Sequence, residues 1–283
     1  MSIKTIGVVG AGTMGSGIAQ AAAMSGYQVM MQDLCADQLE RGVKGIARSL
    51  ERLVDKEKIT SAEMTTAVAA IGTTTEVQDF AGVDLVIEAA VESLALKTEI
   101  FGKLNDICPP SAIFASNTSS LSLTKLAAVS GRPDKLVGMH FFNPVPLMQL
   151  VEVIRALQTS EQTYATVEAL ARQLGKVPVS VKDSPGFVVN RMLVPMINEA
   201  VFLLYEGIAS AEEIDEAMKL GANHPIGPLA LADMIGIDVC LFVMEILLNE
   251  FGDSKYRPCP LIRQKVNAGH LGRKSGKGFY DYG

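Results

Sequence analysis

Apolar residues follow two different spacings along the first two thirds of the chain. Short apolar runs are typical of strands that are buried on both faces of a parallel sheet. The longer stretches between them repeat apolar residues every three to four positions, which predicts helices. We predict strands at 3–9, 27–33, 84–90, 112–116, 135–142, 148–154 and 177–182. Helices are predicted at 13–25, 36–58, 93–107, 122–129 and 161–174. This alternation predicts a doubly wound α/β fold.

After residue 186 the pattern contains helical spacing and no good strand. We predict helices at 187–206, 211–220, 229–250 and 259–268. Pro195 is expected to kink or split the first of them, since proline lacks the N–H that a helix interior needs. The predicted architecture is therefore an α/β domain over 1–184, followed by a smaller all-α domain over 185–283.

The helix predicted at 187–206 is apolar on nearly every side. A helix of this kind has to be covered on several faces. Burial inside the helical domain and a subunit interface explain the pattern about equally well.

Composition excludes several classes of function. The net charge of −6 and a pI of about 5.2 argue against nucleic acid or an anionic membrane as the main partner. The four cysteines are scattered without a C-x-x-C pair, so we expect no metal site and no disulfide framework. No segment is patterned as a membrane span, and the first strand begins too early for a signal peptide. The expected location is the cytoplasm.

A glycine-rich turn follows the first predicted strand and precedes the first predicted helix. It reads Gly10-Ala11-Gly12-Thr13-Met14-Gly15. The first glycine permits a tight turn, the second lets the backbone approach a pyrophosphate, and the third lets the helix pack closely on the sheet. The helix N-terminus adds N–H donors and partial positive charge. In this context the motif predicts a dinucleotide site, against the alternative of a glycine-rich turn in another α/β protein.

An acid at the end of the second predicted strand indicates which dinucleotide is bound. Asp33 stands 18 residues beyond Gly15. A carboxylate there accepts hydrogen bonds from the adenosine ribose hydroxyls and repels a 2′-phosphate, which favours NAD over NADP.

A histidine and a glutamate are candidates for proton transfer. His140 ends one of the predicted strands and Glu152 lies in the next. If these strands pair as antiparallel neighbours around the turn between them, the two side chains share one face. A carboxylate on one imidazole nitrogen leaves the other to accept a substrate proton. A purely structural ion pair is the alternative, and the dinucleotide motif favours the catalytic interpretation.

Two polar stretches are expected to border the same crevice. Residues 115–120 follow a buried strand, although Ser119 and Ser120 are also explained as helix N-caps. Residues 183–191 open the helical domain, where Asn190 is expected to face the cleft between domains and to hold a substrate oxygen.

These motifs together resemble the L-3-hydroxyacyl-CoA dehydrogenase family, particularly its stand-alone bacterial members. The segments concerned are 116–120, 140–144, Glu152 and 184–191, and the likeness runs through 272–280. The resemblance implies that His140 is the catalytic base, that Glu152 is its partner, and that Ser119 and Asn190 position the substrate. It implies NAD contacts from Gly10, Ala11, Gly12, Thr13, Met14, Gly15, Asp33, Glu92, Lys97, Asn117, Ser119, Asn143 and Lys274. It implies CoA-substrate contacts from Ser49, Lys56, Ser119 and Asn190.

A basic stripe on the helix predicted at 36–58 suggests a binding site for the phosphates of CoA. Its members recur every three or four residues and are Arg41, Lys44, Arg48, Arg52 and Lys56. CoA carries a 3′-phosphate and a pyrophosphate, which cations bind. The alternative is a solvated face that is paired with Glu40, Glu51 and Asp55.

The expected activity is reversible oxidation of a short-chain (3S)-3-hydroxyacyl-CoA by NAD⁺, in a homodimer that associates through its helical domain. One alternative is an NAD-dependent dehydrogenase of a hydroxy acid without CoA. Another is a non-catalytic NAD-binding protein, which would be expected to have lost the pair formed by His140 and Glu152.

Overall fold

Eight strands form one sheet in the N-terminal part of the structure. They are β1 (Thr5–Val9), β2 (Gln28–Gln32), β3 (Ile71–Thr74), β4 (Leu85–Glu88), β5 (Ile113–Ser116), β6 (Leu136–Phe141), β7 (Leu150–Arg155) and β8 (Val177–Lys182). The computed structural model describes residues 3–283, and its contacts divide it into two units between Ser184 and Pro185. The predicted fold class, a doubly wound α/β domain followed by a helical one, is confirmed.

The strand order creates a switch point in the sheet. The order is β3-β2-β1-β4-β5-β6-β7-β8, and all neighbours from β3 to β6 are parallel. β7 runs antiparallel to β6, and β8 runs parallel to β7. The chain leaves β1 toward one edge and β4 toward the other, so a crevice opens at their carboxyl ends, where ligands bind in such sheets.

Within residues 3–184, six α-helices accompany the sheet. They are α1 (Thr13–Met24), α2 (Ala36–Asp55), α3 (Ser61–Ala69), α4 (Leu94–Ile107), α5 (Leu123–Val129) and α6 (Glu161–Gln173). The buried core joins strand residues such as Ile6 and Ile87 to helix residues such as Ile18 and Leu50. This packing fixes the loops that follow β1, β2, β4 and β5 at one edge of the sheet.

The sequence pattern missed α3 and β3. β3 is a short edge strand of sequence IGTT, whose small and polar residues carry no apolar run. α3 does have a sequence signal. Thr60 accepts a hydrogen bond from Glu63 N, and the Glu63 carboxylate accepts one from Thr60 N at 2.7 Å, which is a capping box.

The second unit is helical. It contains α7 (Val189–Tyr205), α8 (Ala211–Gly221), α9 (Pro228–Ile235), α10 (Ile237–Phe251) and α11 (Pro260–Asn267). α7 continues through Pro195 as one helix, so the chain is not split there. The single helix predicted at 229–250 is wrong. Gly236, at φ 109°, separates α9 from α10, and this backbone conformation interrupts a right-handed helix.

Two buried carboxylates organise this unit. Asp215 accepts hydrogen bonds from the N–H groups of Leu229 and Ala230 at the start of α9. Asp233 accepts them from the N–H groups of Phe279 and Tyr280, which fastens the C-terminal segment. Within residues 3–283, no helix combines the length and the apolar character that crossing a membrane requires.

Candidate active site

The His140 and Glu152 side chains meet across two paired strands. The antiparallel register of β6 and β7 sets these residues opposite each other, as the sequence predicted. Nδ1 of His140 lies 2.7 Å from Oε2 of Glu152. The histidine is 5% exposed and the glutamate 0%, so the pair is shielded from water. With Nδ1–H donating to the carboxylate, proton exchange is assigned to Nε2.

The glycine turn has the shape that a pyrophosphate needs. Gly10 adopts φ 98°, and a Cβ there would lie 2.7 Å from Ala89 O on the neighbouring β4 loop. A Cβ at Gly15 would collide with Gly10 O. A Cβ at Gly12, in contrast, would meet no heavy atom within 4 Å, so space is open where the turn leads into α1. This arrangement fits a dinucleotide whose phosphates approach the backbone and the helix N-terminus.

The Asp33 carboxylate is fixed beside this turn. Its Oδ2 accepts a hydrogen bond from Ala11 N at 2.9 Å, and its Oδ1 accepts one from Cys35 N at 3.0 Å. The acid therefore holds the glycine turn against the end of β2, at the position from which it would reach a ribose.

Glu92 organises the polar segment after β5. Its Oε1 accepts hydrogen bonds from Thr118 Oγ1 at 2.6 Å, Ser119 N at 2.9 Å and Ser120 Oγ at 2.8 Å. Burial by itself would raise the pKa of the Glu92 carboxyl. The Lys97 ammonium and these hydrogen bonds outweigh burial, so the pKa lies below its usual value and the group is a carboxylate at neutral pH.

The interpretation of Ser119 and Ser120 as helix N-caps is wrong. α5 begins at Leu123, and its N-cap is Ser122, whose side chain accepts from Lys125 N. The two serines instead hydrogen-bond to Glu92. Their segment is thus shaped by a carboxylate from the β4–α4 loop.

Lys97 is enclosed between two carboxylates. It is 1% exposed, and its Nζ lies 2.6 Å from Glu88 Oε1 and 3.4 Å from Glu92 Oε2. Glu88 also accepts a hydrogen bond from Ser116 Oγ at 2.7 Å. Glu88 was not among the predicted site residues, although an acid at the end of an apolar strand is a recognisable signal. The geometry makes Lys97 a support for Glu92, and its direct cofactor contact stays a prediction.

Two asparagines adjoin the histidine strand. Asn117 Oδ1 accepts a hydrogen bond from Phe141 N at 2.9 Å, which ties the end of β5 to β6 one residue beyond His140. Asn143 lies in the loop after β6 and lines a cavity.

That cavity, of about 550 Å³, lies between α1, α2 and the loop after β6. Its lining includes Ser49 and Lys56, two of the four residues predicted to contact the CoA substrate. Its walls comprise residues from three segments: Ala11, Gly12, Thr13, Ser16, Gly17, Gln20, Gln38, Arg41, Gly42, Gly45, Ile46, Ser49, Arg52, Leu53, Lys56, Asn143, Pro144, Val145, Pro146 and Leu147.

Only part of the basic stripe on α2 faces the cavity. Arg41, Arg52 and Lys56 line the cavity, whereas Lys44 and Arg48 do not. Lys44 pairs with Glu40 at 2.5 Å on the exposed side of α2. Across residues 3–283, no carboxylate forms an ion pair with Arg52 or Lys56. The solvated-face interpretation therefore describes Lys44, whereas Arg52 and Lys56 place positive charge at the cavity.

Two predicted site residues belong to the second unit. Asn190 is the second residue of α7 and is half-buried. Lys274 Nζ lies 2.6 Å and 2.7 Å from the two carboxylate oxygens of Asp238. The substrate role of Asn190 and the cofactor role of Lys274 stay predictions. Among residues 3–283, no cluster of three or more His, Cys, Asp or Glu side chains is arranged to hold a metal ion.

Two family models cover nearly all of the sequence. The model described as "3-hydroxyacyl-CoA dehydrogenase, NAD binding domain" matches residues 5–184. The model described as "3-hydroxyacyl-CoA dehydrogenase, C-terminal domain" matches residues 186–282.

Three similar proteins align with this chain over 91% or more of their own length. A 3-hydroxybutyryl-CoA dehydrogenase of Bradyrhizobium diazoefficiens is 50% identical, with 99% of this chain and 96% of that protein covered. The mitochondrial hydroxyacyl-coenzyme A dehydrogenase of Mus musculus is 43% identical, with 99% and 91% covered. The crystal structure of an (S)-3-hydroxybutyryl-CoA dehydrogenase from Ralstonia eutropha is 59% identical and has a TM-score of 0.97, with both chains fully covered.

Proposed function

Because the chain belongs to the 3-hydroxyacyl-CoA dehydrogenase family, we propose that it interconverts (3S)-3-hydroxyacyl-CoA and 3-oxoacyl-CoA with NAD(H). The preferred substrate in this proposal is the short-chain thioester 3-hydroxybutyryl-CoA, the substrate named for two of the similar proteins. The observation that carries the proposal is the buried pair of His140 and Glu152, which lies in the same unit as the glycine turn.

The residues around the turn suit NAD. The open space at Gly12 and the N-terminus of α1 would hold the pyrophosphate, and Asp33 would accept hydrogen bonds from the ribose hydroxyls. NAD⁺, when bound, takes up the hydride that leaves C3 of the substrate. The proposed cofactor site is completed by six further residues, which are Glu92, Lys97, Asn117, Ser119, Asn143 and Lys274.

His140 moves the proton of the reaction. In the oxidative direction, Nε2 takes the proton of the C3 hydroxyl while the hydrogen on C3 departs with its electron pair, so a carbonyl forms. Glu152 stabilises the resulting imidazolium across the 2.7 Å contact. In the reductive direction, the imidazolium returns the proton to the oxygen of C3.

The cavity beside α2 is the proposed site of the CoA nucleotide. Arg52 and Lys56 present positive charge there, and Ser49 adds a hydroxyl. The 3′-phosphate and pyrophosphate of CoA would be bound by these groups. Ser119 and Asn190 are the proposed contacts of the acyl end.

The proposed assembly is a homodimer that associates through the helical unit, and the proposed location is the cytoplasm. Met192 on α7 is 71% exposed and Leu220 on α8 is 78% exposed, and Ile208 between these helices is also exposed. Exposed apolar side chains of this kind mark interaction surfaces. Light scattering after gel filtration tests the proposal. Met192→Lys with Leu220→Lys should yield monomer, and monomeric wild type would contradict it.

The activity is tested with matched substrates. The purified protein is assayed with NADH or NADPH against acetoacetyl-CoA, longer 3-oxoacyl-CoA thioesters and free acetoacetate. We expect turnover of acetoacetyl-CoA with NADH and little turnover of the free acid. Comparable kcat/KM for free acids would favour the dehydrogenase of hydroxy acids without CoA. Binding of NADH without turnover of any substrate would favour the non-catalytic alternative.

A further inference from the structure

A buried lysine from a distant segment holds the loop that joins β6 to β7. Lys176 immediately precedes β8, and its Nζ donates hydrogen bonds to Val145 O at 2.5 Å and Met148 O at 2.8 Å. The loop's own hydrogen bonds are few. The N–H groups of Leu147 and Met148 both reach Pro144 O at 3.0 Å.

The positive charge of Lys176 is stabilised by two backbone carbonyl groups. Within the described residues 3–283, no carboxylate forms an ion pair with its ammonium. Burial lowers the pKa of the group, because an ammonium loses hydration when it is enclosed. The partial negative charges of two loop carbonyls take the place of a counterion, and charge-assisted hydrogen bonds of this kind are stronger than neutral ones.

The loop that Lys176 holds forms one wall of the CoA cavity. Residues 143–147 line that cavity, and the loop begins two residues after His140. The loop also lies against α1, another wall of the cavity. A Cβ at Gly17 would come within 2.8 Å of Val145 Cβ, so the helix and the loop are already in close contact.

We propose that Lys176 is a positioning residue for acyl-CoA binding, which holds the loop at 143–148 in its binding conformation before the substrate arrives. A loop that is ordered in advance loses less conformational entropy on binding, so affinity rises without a direct contact. The identity of the ligand in this inference rests on the proposed function. The tethering of the loop does not.

Three substitutions test the proposal. Lys176→Met keeps an unbranched chain and removes the donor, and Lys176→Arg restores a charged donor. Lys135→Met is the matched control, because Lys135 also donates to a backbone carbonyl, Pro110 O at 2.5 Å, away from the cavity. We expect Lys176→Met to raise KM for acetoacetyl-CoA by about tenfold, since it removes two charge-assisted hydrogen bonds. The KM for NADH should stay near wild type, and Lys176→Arg should recover most of the loss.

Hydrogen exchange gives a readout that needs no activity. The peptide containing residues 144–148 should exchange faster in Lys176→Met than in wild type and in Lys135→Met. If Lys176→Met does not fold, Lys176→Gln, whose shorter and neutral side chain removes the charge from these bonds, should show smaller changes in the same direction in both measurements. Unchanged exchange at 144–148, or a KM for acetoacetyl-CoA equal to that of Lys135→Met, would overturn the proposal. If the wild-type protein reduced no thioester, the proposed function would fail, while loop exchange would still decide the role of Lys176.

Discussion

Glu152 holds Nδ1 of His140 at 2.7 Å across two antiparallel strands that set the residues directly opposite each other. The backbone hydrogen bonds of the sheet fix both main chains, so the pair needs little rearrangement to act. A carboxylate in this position selects the imidazole tautomer and stabilises the imidazolium. The two side chains are therefore expected to behave as one catalytic unit.

His140→Gln should lower kcat by about a hundredfold or more, because general acid–base catalysis contributes on the order of 10²–10⁴-fold. Glu152→Gln should also lower kcat, and the double variant should be little worse than His140→Gln alone. Steady-state kinetics together with NADH titration measure these effects, and NADH affinity should stay near wild type. Retention of more than roughly a third of kcat in His140→Gln would exclude the assigned role.

Asp33→Ala should narrow the preference for NADH over NADPH, because it removes the charge that repels a 2′-phosphate. It should also weaken NADH binding, since Oδ2 of Asp33 accepts a hydrogen bond from Ala11 N. Asp33→Asn separates the two effects by removing the charge and keeping a carbonyl acceptor. The ratio of kcat/KM for the two cofactors is the measurement. A wild-type enzyme that prefers NADPH would contradict the role given to Asp33.

Arg52→Glu and Lys56→Glu should each raise KM for acetoacetyl-CoA by about five- to tenfold, because they replace a cation at the cavity with an anion. The effect should shrink in high salt, since exposed charges are screened over about 8–10 Å at physiological ionic strength. The KM for NADH should change little. Lys44→Glu is the matched control on the same helix, where the lysine pairs with Glu40 outside the cavity.

A truncated thioester that lacks the CoA nucleotide sharpens this experiment. Its turnover should be nearly the same in wild type, Arg52→Glu and Lys56→Glu, because it carries no phosphates that these cations could bind. Equal losses with the full and truncated substrates would show that these cations do not bind the nucleotide. The CoA assignment would then depend on family membership alone.

Glu92→Gln should lower thermal stability more at neutral pH than in acid. The pKa of the Glu92 carboxyl is lowered in the folded protein, whereas an unperturbed glutamate has a pKa of about 4.3. The stabilisation is therefore fully present above that value and is lost as pH falls through the lowered folded pKa. The difference in Tm between wild type and Glu92→Gln should be largest near pH 7 and should narrow below about pH 4. Glu51→Gln, at an exposed position on α2, is the control.

Alkylation of the native protein should modify Cys35 before the other three cysteines. Cys35 is exposed, whereas burial raises the pKa of Cys108 to about 11 and that of Cys240 to about 12 and also raises that of Cys259. The thiolate is the reactive form, so the buried thiols should react slowly. NADH should protect Cys35, because its N–H binds Asp33 at the proposed ribose site. Labelling of Cys35 at the same rate with and without NADH would place the adenosine elsewhere.

Features that depend on neighbouring residues could be predicted from the amino-acid order. The glycine turn, the acid at the end of β2 and most strands belong to this group. The pairing of His140 with Glu152 also belongs to it, because a short loop between two adjacent strands restricts their register. In each case the interacting residues are close in the chain, so spacing and periodicity carry the information.

Contacts between segments that are distant in the chain could not be predicted from local sequence patterns. Glu88 meets Ser116 only after β4 and β5 have packed, and Lys176 reaches Val145 from 31 positions away. The bond between Ser120 and Glu92 likewise replaces the capping role that the sequence suggests locally. Folding sets these partners because a buried charge must find opposite charge or hydrogen-bonding groups wherever the packed chain supplies them.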